Sequence, residues 1–213
     1  AQVKVEVISD GTTTAYTSEV SGAMTNAEWR DIAWNGLIFC AVSRNGNIAT
    51  SPDGMTWTAR TSPGARTWQH IIWTGKLFVI HNEDSYPNCY TAVSPDGINW
   101  TSSAALPSTQ WTIEAIAYGK GIFTALGGAY CSYSYNGLDW IQAANHPGGS
   151  GNWVAIEYNG DKFVTADDDR SMTSSNGIDW TLHAGALSGG AGGFYSDIRW
   201  NGSVFLAIDS GIS

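Results

Sequence analysis

Ser51-Pro52-Asp53-Gly54-Met55-Thr56-Trp57 returns as Ser94-Pro95-Asp96-Gly97-Ile98-Asn99-Trp100. It returns again, loosened, as Ser134-Tyr135-Asn136-Gly137-Leu138-Asp139-Trp140 and Ser174-Ser175-Asn176-Gly177-Ile178-Asp179-Trp180. Each copy reads as a tight turn. Ser takes the first corner, Pro with its preset φ the second where present, Asp or Asn the third, and Gly the place where φ turns positive. After the Gly, an apolar residue and a Trp flank one polar residue, and this period of two predicts a strand.

Upstream of each turn lies a second anchor, an aromatic residue followed five positions later by Phe. The pairs are Trp34/Phe39, Trp73/Phe78, Tyr118/Phe123, Tyr158/Phe163 and Trp200/Phe205, so there are five repeats. The Phe-to-Phe spacings of 39, 45, 40 and 42 residues suit four-stranded propeller blades rather than helical or leucine-rich arrays. An isoleucine stands two residues before each aromatic (Ile32, Ile71, Ile116, Ile156, Ile198), predicting an innermost strand with one face packed on a neighbouring blade. Asn35-Gly36, Thr74-Gly75, Gly119-Lys120-Gly121, Asn159-Gly160 and Asn201-Gly202 then close a hairpin to the second strand.

The predicted fold is therefore all-β, a single five-bladed β-propeller of four-stranded antiparallel blades with strands A to D in chain order. The repeats run roughly over 28–60, 67–103, 111–143, 152–184 and 194–213, and the last lacks room for strands C and D. Val3 to Ile8, followed by Ser9-Asp10-Gly11 and Thr12 to Tyr16, reads as the missing turn and its flanking strands. Tyr16 lies 18 residues before Trp34, inside the 16 to 20 that separate each turn Trp from the next strand-A aromatic. Residues 1–20 are thus expected to complete the fifth blade and close the ring, removing its open edge; a separate hairpin is the alternative.

These repeats resemble the propeller domains of phage tail and fibre proteins, and are similar to the Asp-box (BNR-like) repeats of sialidase-type propellers. They depart from the Asp box in having one residue fewer between Asp and Gly, and in carrying Asn for Asp in two copies. The five-bladed architecture is similar to that of tachylectin-2-type lectins. The resemblance implies a phage-tail or virion, or otherwise extracellular, setting. No signal peptide is visible, and no apolar run approaches the roughly 18 residues of a membrane span.

Composition narrows the function. With 10 Lys plus Arg against 19 Asp plus Glu, the formal charge is -9 and the sequence shows no basic run, so nucleic acid is not an expected partner. The three cysteines, Cys40, Cys89 and Cys131, have neither disulfide-framework nor zinc spacing and are expected to be buried thiols. The A–B and C–D turns, which emerge on one rim, are short and uniform. The B–C connections (44–46, 81–88, 127–128, 167–170, 209–211) and D–A connections (61–67, 102–110, 143–152, 183–193) vary widely. Variation confined to one rim is what recognition loops on a constant scaffold show.

The candidate ligand-binding residues on that rim are His81, Glu83, Asp84, Tyr86, Asp167, Asp168, Asp169 and Arg170, with Trp68, Trp111, Trp153 and Tyr195 near the starts of A strands. Aromatic faces beside carboxylates suit sugars, whose rings present apolar C–H faces and hydroxyl donors; blade-to-blade packing is the competing role for each Trp. No cofactor is implied. Asp167-Asp168-Asp169 is the one calcium candidate, but it lacks Asp-x-Asp-x-Asp-Gly spacing and is expected to be a solvated acidic loop. Glu157 and Arg199 hold the same place in successive A strands and are expected to pair.

No catalytic motif appears, and the arginines do not recur in a pattern that assembles the three-arginine cluster of a sialidase. The expected function is carbohydrate or receptor binding, with surface glycans or a host receptor as partner. The alternatives are a structural virion or tail protein docking on another protein, and a glycosidase using paired carboxylates.

Overall fold

The computed structural model describes residues 7–9, 12–14, 27–82, 84, 88–106, 112–128, 130–144, 153, 155–167, 170–185 and 195–209. All regular structure among them is β-strand, in two compact units: Ala1–Asn82 with Thr91–Ser102, and Glu83–Tyr90 with Ser103–Ser213.

The first unit opens with a hairpin of β1 (Val7–Ser9) and β2 (Thr12–Thr14), which pair with each other. Two antiparallel blades follow in strand order A-B-C-D: β3 (Trp29–Trp34), β4 (Phe39–Ser43), β5 (Ile48–Ser51) and β6 (Thr58–Arg60), then β7 (Trp68–Trp73), β8 (Phe78–Asn82), β9 (Thr91–Ser94) and β10 (Thr101–Ser102). The second unit holds two more: β11 (Ala115–Gly119), β12 (Ile122–Gly127), β13 (Tyr130–Ser134) and β14 (Ile141–Gln142), then β15 (Ala155–Tyr158), β16 (Phe163–Ala166), β17 (Arg170–Ser174) and β18 (Thr181–Ala184). It ends on β19 (Tyr195–Trp200) and β20 (Phe205–Asp209), a two-stranded sheet repeating the A–B hairpin. The expected pairing of the N-terminal strands with this last hairpin is not among the strand pairings of the described residues.

The A–B hairpin forms as its sequence dictates. In all five repeats the aromatic stands opposite the Phe in register, with ring centroids 4.3 to 4.7 Å apart. In the turn between them Asn35, Asn159 and Asn201 each accept two backbone N–H bonds on one side-chain oxygen, and Thr74 uses its hydroxyl the same way.

The Ser-x-Asp-Gly corner is a closed set of bonds. Ser51 Oγ accepts from the N–H groups of Asp53 and Gly54 and donates to Asp53 Oδ1, which accepts from the N–H groups of Met55 and Thr56. The Trp57 indole N–H donates back to the Gly54 carbonyl at 2.9 Å, and Gly54 has φ +74°. The corner thus runs through Trp57, and strand D begins at Thr58 rather than directly after the glycine, as the alternation in sequence predicts. The carboxylate of Asp53 has captured the two N–H groups a ladder would need.

Blades stack through their apolar columns. In the first unit Cys40, Val42 and Ile48 of one blade pack with Trp68, Ile71, Phe78 and Ile80 of the next. In the second, Leu126, Cys131 and Ala143 meet Trp153, Ile156, Phe163, Met172 and Trp180, and Ala155 and Val164 meet Ile198. Each such aliphatic or aromatic side chain contributes roughly 1.5–3 kcal/mol on burial. Four of the five isoleucines are buried as expected, but Ile32 is 51% exposed. It stands in the first blade, and no preceding blade lies among the described residues. All three cysteines are free and buried, and burial pushes the Cys40 thiol up to about 12.

Candidate functional site

The B–C connection of the first blade is a tight hairpin over residues 43–47. Ser43 N donates to the Asn47 carbonyl, Gly46 N to the Ser43 carbonyl, and Asn47 N to Ser43 Oγ, leaving Arg44 and Asn45 exposed at the tip. Two other segments are drawn against it. Arg44 N donates to the Glu28 carbonyl at 2.8 Å, tying the hairpin to the start of β3. A Cβ on Gly46 would lie 2.8 Å from the Arg66 carbonyl, so the D–A connection passes where only glycine allows it. Arg30, Arg44 and Arg66, far apart in sequence, thus share one end of this blade. Arg30 lies 4.0 Å from the exposed Glu28 carboxylate, and Arg66 donates to the Pro63 carbonyl.

Trp29 stands opposite Ser43 at the same end, half-buried over Ala41, Ala49 and Trp57. Its counterparts Trp68 and Trp153 are 0% and 1% exposed. Packing therefore claims both of those candidate platforms, whereas Trp29, like Tyr195 at the matching place of the last repeat, is only half-buried.

Two residues further along β3, Asp31 Oδ1 accepts from Ile32 N, while Oδ2 accepts from Ile71 N at 3.0 Å and lies 3.3 Å from His70 Nδ1. Burial raises the Asp31 pKa, but the His70 contact and the two backbone donors together hold it below its usual value. The half-exposed His70 ring is 5.2 Å from that of His81. His81 is wholly buried, and desolvation drives its pKa down to about 3, so it is neutral. It occupies a strand-B position held by Val42, Leu126, Ala166 and Ile208 in the other repeats.

The remaining candidates fall into two groups. Asp167 is not solvated as the acidic run predicts: its side chain is 0% exposed and paired with Arg170. The chain reverses between these two residues, with Asp167 N bonded to the Arg170 carbonyl, which brings the guanidinium onto the buried carboxylate. Arg170 also lies over the Trp153 ring at 5.6 Å. Asp84 and Tyr195 are half-buried, and the Asp84 carbonyl accepts from the Cys89 thiol. Glu83, Tyr86, Trp111, Asp168 and Asp169 lie outside the described residues.

Glu157 and Arg199 do meet, at 3.8 Å, and Arg199 also grips Asp197 at 2.6 Å. Burial raises the Glu157 pKa, against the lowering field of Arg199. Among the described residues no three His, Cys, Asp or Glu side chains form a metal centre.

No protein-family model matches the chain, and no curated protein sequence matches it. Solved structures do. A catalytically inactive virginiamycin B lyase from Staphylococcus aureus, solved with quinupristin, superposes with a TM-score of 0.74 at 10% identity over 97% of this chain and 70% of that one. The WD40 β-propeller domain of Doa1 gives 0.61 at 11% identity, over 97% and 64%. YCF48 bound to D1 peptide gives 0.59 at 16%, over 84% and 58%, so the chain spans somewhat less than two thirds of these last two. The protein has the fold of the β-propellers. At such identities the likeness carries the fold alone.

Proposed function

We propose that this propeller is a recognition module that binds carbohydrate on the rim of the B–C and D–A connections, where the first two blades bring together Trp29, Asp31, Arg44 and His70. One observation carries the reading. The A–B and C–D corners spend their polar side chains on their own backbone, whereas this end leaves an aromatic edge, a guanidinium and an imidazole part-exposed together. An aromatic edge beside fixed donors and acceptors is the chemistry that takes a sugar ring and its hydroxyls. A receptor-binding part of a phage tail or virion is the setting proposed for such a module. The proposal keeps five blades, with the N-terminal strands completing the last.

The test is a glycan array probed with the protein displayed multivalently to rescue weak binding, beside His70→Ala and, in the Ser-x-Asn-Gly corner of the third repeat, Tyr135→Ala. Binding to a defined sugar family that His70→Ala weakens and Tyr135→Ala leaves alone supports the proposal. No glycan bound, or loss only in Tyr135→Ala, sinks it and moves the weight to protein docking.

A glycosidase is the second reading, favoured by one arrangement: two carboxylates, Glu157 and Asp197, share Arg199, and the pKa of the first is raised. Hydrolysis of chromogenic glycosides that Glu157→Gln abolishes would establish it.

A further inference from the structure

We infer that Asn35, Asn159 and Asn201 are sites of spontaneous deamidation, in which the nitrogen of the following glycine closes on the asparagine side chain, and that the fold protects the other Asn-Gly pairs from it. The chain carries six such pairs, at 35–36, 45–46, 136–137, 159–160, 176–177 and 201–202. Glycine in second place lets its nitrogen approach the side-chain carbon with no Cβ in the way, so by sequence all six are alike. Backbone bonding divides them. Gly46 N donates to the Ser43 carbonyl, Gly137 N to Ser134 Oγ and Gly177 N to Ser174 Oγ. No acceptor for the N–H of Gly36, Gly160 or Gly202 lies among the described residues, all three glycines are exposed, and a Cβ on any of them would meet nothing within 4 Å.

The reaction needs a nucleophile and an electrophile. Hydroxide removes the glycine N–H proton and the nitrogen bonds to the asparagine Cγ; the Cγ–Nδ2 bond breaks, and the amide nitrogen takes a proton from water and leaves as ammonia. The five-membered succinimide then adds water at one of its two carbonyls, giving Asp or isoaspartate. Attack puts negative charge on Oδ1, and each of the three turns already aims two N–H groups at that oxygen. Leu37 N and Ile38 N donate to Asn35, Asp161 N and Lys162 N to Asn159, and Ser203 N and Val204 N to Asn201, all at 2.8 to 3.0 Å. Donors in place where charge develops lower the barrier. Asn136 and Asn176 accept the same two bonds, so what sets them apart is the glycine proton, held by a serine hydroxyl, and the amide nitrogen, tied to the Asp139 or Asp179 carboxylate. The Tyr158 hydroxyl donates to the Gly160 carbonyl at 2.7 Å and restrains that turn, which makes Asn159 the slowest of the three. An Asp product keeps both backbone bonds, as Asp53 does in its corner, whereas isoaspartate adds a methylene to the main chain and takes the hairpin out of register.

In the experiment the full chain is held at mildly alkaline pH for days, both folded and in urea, then digested for peptide mapping by mass spectrometry, with isoaspartyl methyltransferase labelling as an independent readout. In the folded chain, conversion at Asn35 and Asn201 is expected to outpace that at Asn45, Asn136 and Asn176 by about tenfold or more, with Asn159 between them. In urea the six are expected to convert at comparable rates. Ser174→Ala, which releases the Gly177 N–H, is expected to bring Asn176 up to the rate of Asn35. Conversion of Asn136 or Asn176 as fast as Asn35 in the folded wild type overturns the inference, as does silence at folded Asn35 and Asn201 while the unfolded chain reacts. The same preference in urea assigns it to local sequence and overturns it too, and so does an unchanged Asn176 in folded Ser174→Ala. If that variant does not fold, the comparison of folded and urea-unfolded wild type decides alone.

Discussion

The side-chain amide of Asn136 donates to the carboxylate of Asp139 at 2.7 Å, and in the second Ser-x-Asp-Gly corner the amide of Asn99 donates to Asp96 at 2.8 Å, the same pair with its partners exchanged. Asn176 and Asp179 repeat the first arrangement at 2.9 Å. The corner needs an acceptor oxygen at its third position, and either Asp or Asn supplies it. Asn136→Asp therefore keeps every backbone bond but sets two carboxylates face to face. It is expected to cost roughly 0.5–1 kcal/mol at pH 7, and the double exchange Asn136→Asp/Asp139→Asn to restore it. Urea denaturation as a double-mutant cycle checks this; additive costs would refute it.

Asp53 accepts from Thr56 N, Met55 N and the Ser51 hydroxyl, and these bonds hold its carboxyl down to about 2. A lowered folded-state pKa adds stability above the unfolded value, near 4, and that stability fades as pH falls toward 2. Asp53→Asn retains the acceptor without the charge. Its urea midpoint is expected to drop less than that of the wild type between pH 5 and pH 2.

His81 gives a second, separate acid window. Its folded pKa of about 3 lies below the unfolded value near 6.5, so the unfolded chain takes the proton first. Stability is full above 6.5 and is lost on descent toward 3, with a slope approaching about 1.4 kcal/mol per pH unit. His81→Val, which installs the residue found at the matching place in the first blade, should flatten the stability profile from pH 6.5 to 4. An unchanged slope would assign the loss elsewhere.

Arg170 neutralises a carboxylate with no solvent exposure. Arg170→Met leaves Asp167 buried beside an apolar side chain and is expected to cost about 3–5 kcal/mol, whereas Asp167→Asn/Arg170→Met, with no ion left behind, should cost much less. Thermal unfolding of the two variants distinguishes a buried ion pair from simple packing loss.

The scaffold was legible because it is written five times. Any one aromatic–Phe pair is weak, but five at regular spacing fix a hairpin, and the structure stacks all five. The site was legible only in part, since it is what differs between repeats. Trp29 shares its column with Trp68 and Trp153, both buried, so its residue type alone does not mark it as half-exposed. Asp31 and His70 pair across 39 residues, and sequence shows them only once the strands are laid in register. There Ala115 and Ala155 hold the matching positions in the third and fourth repeats and Asp197 that of the fifth, so what distinguishes the first two repeats is an Asp facing a His. His81, opposite Val42, Leu126, Ala166 and Ile208, would have surfaced by the same comparison. Asp167 was misplaced because three successive aspartates look solvated until the turn to Arg170 is known.

A corner whose serine, acid or amide and glycine satisfy one another takes its bend from its own residues, even where, as in the fourth copy, Lys120 and Cys131 of the neighbouring blade also reach the Ser175 and Gly177 carbonyls. Such a segment can be duplicated, and the copy arrives with its sharpest bend already specified. Change in the opposite loops then leaves the bend untouched, so the number of blades and the chemistry of the variable rim can drift independently of each other. The exchange of Asp and Asn between the second and third corners is a record of that independence: each copy has found its own way to present one oxygen.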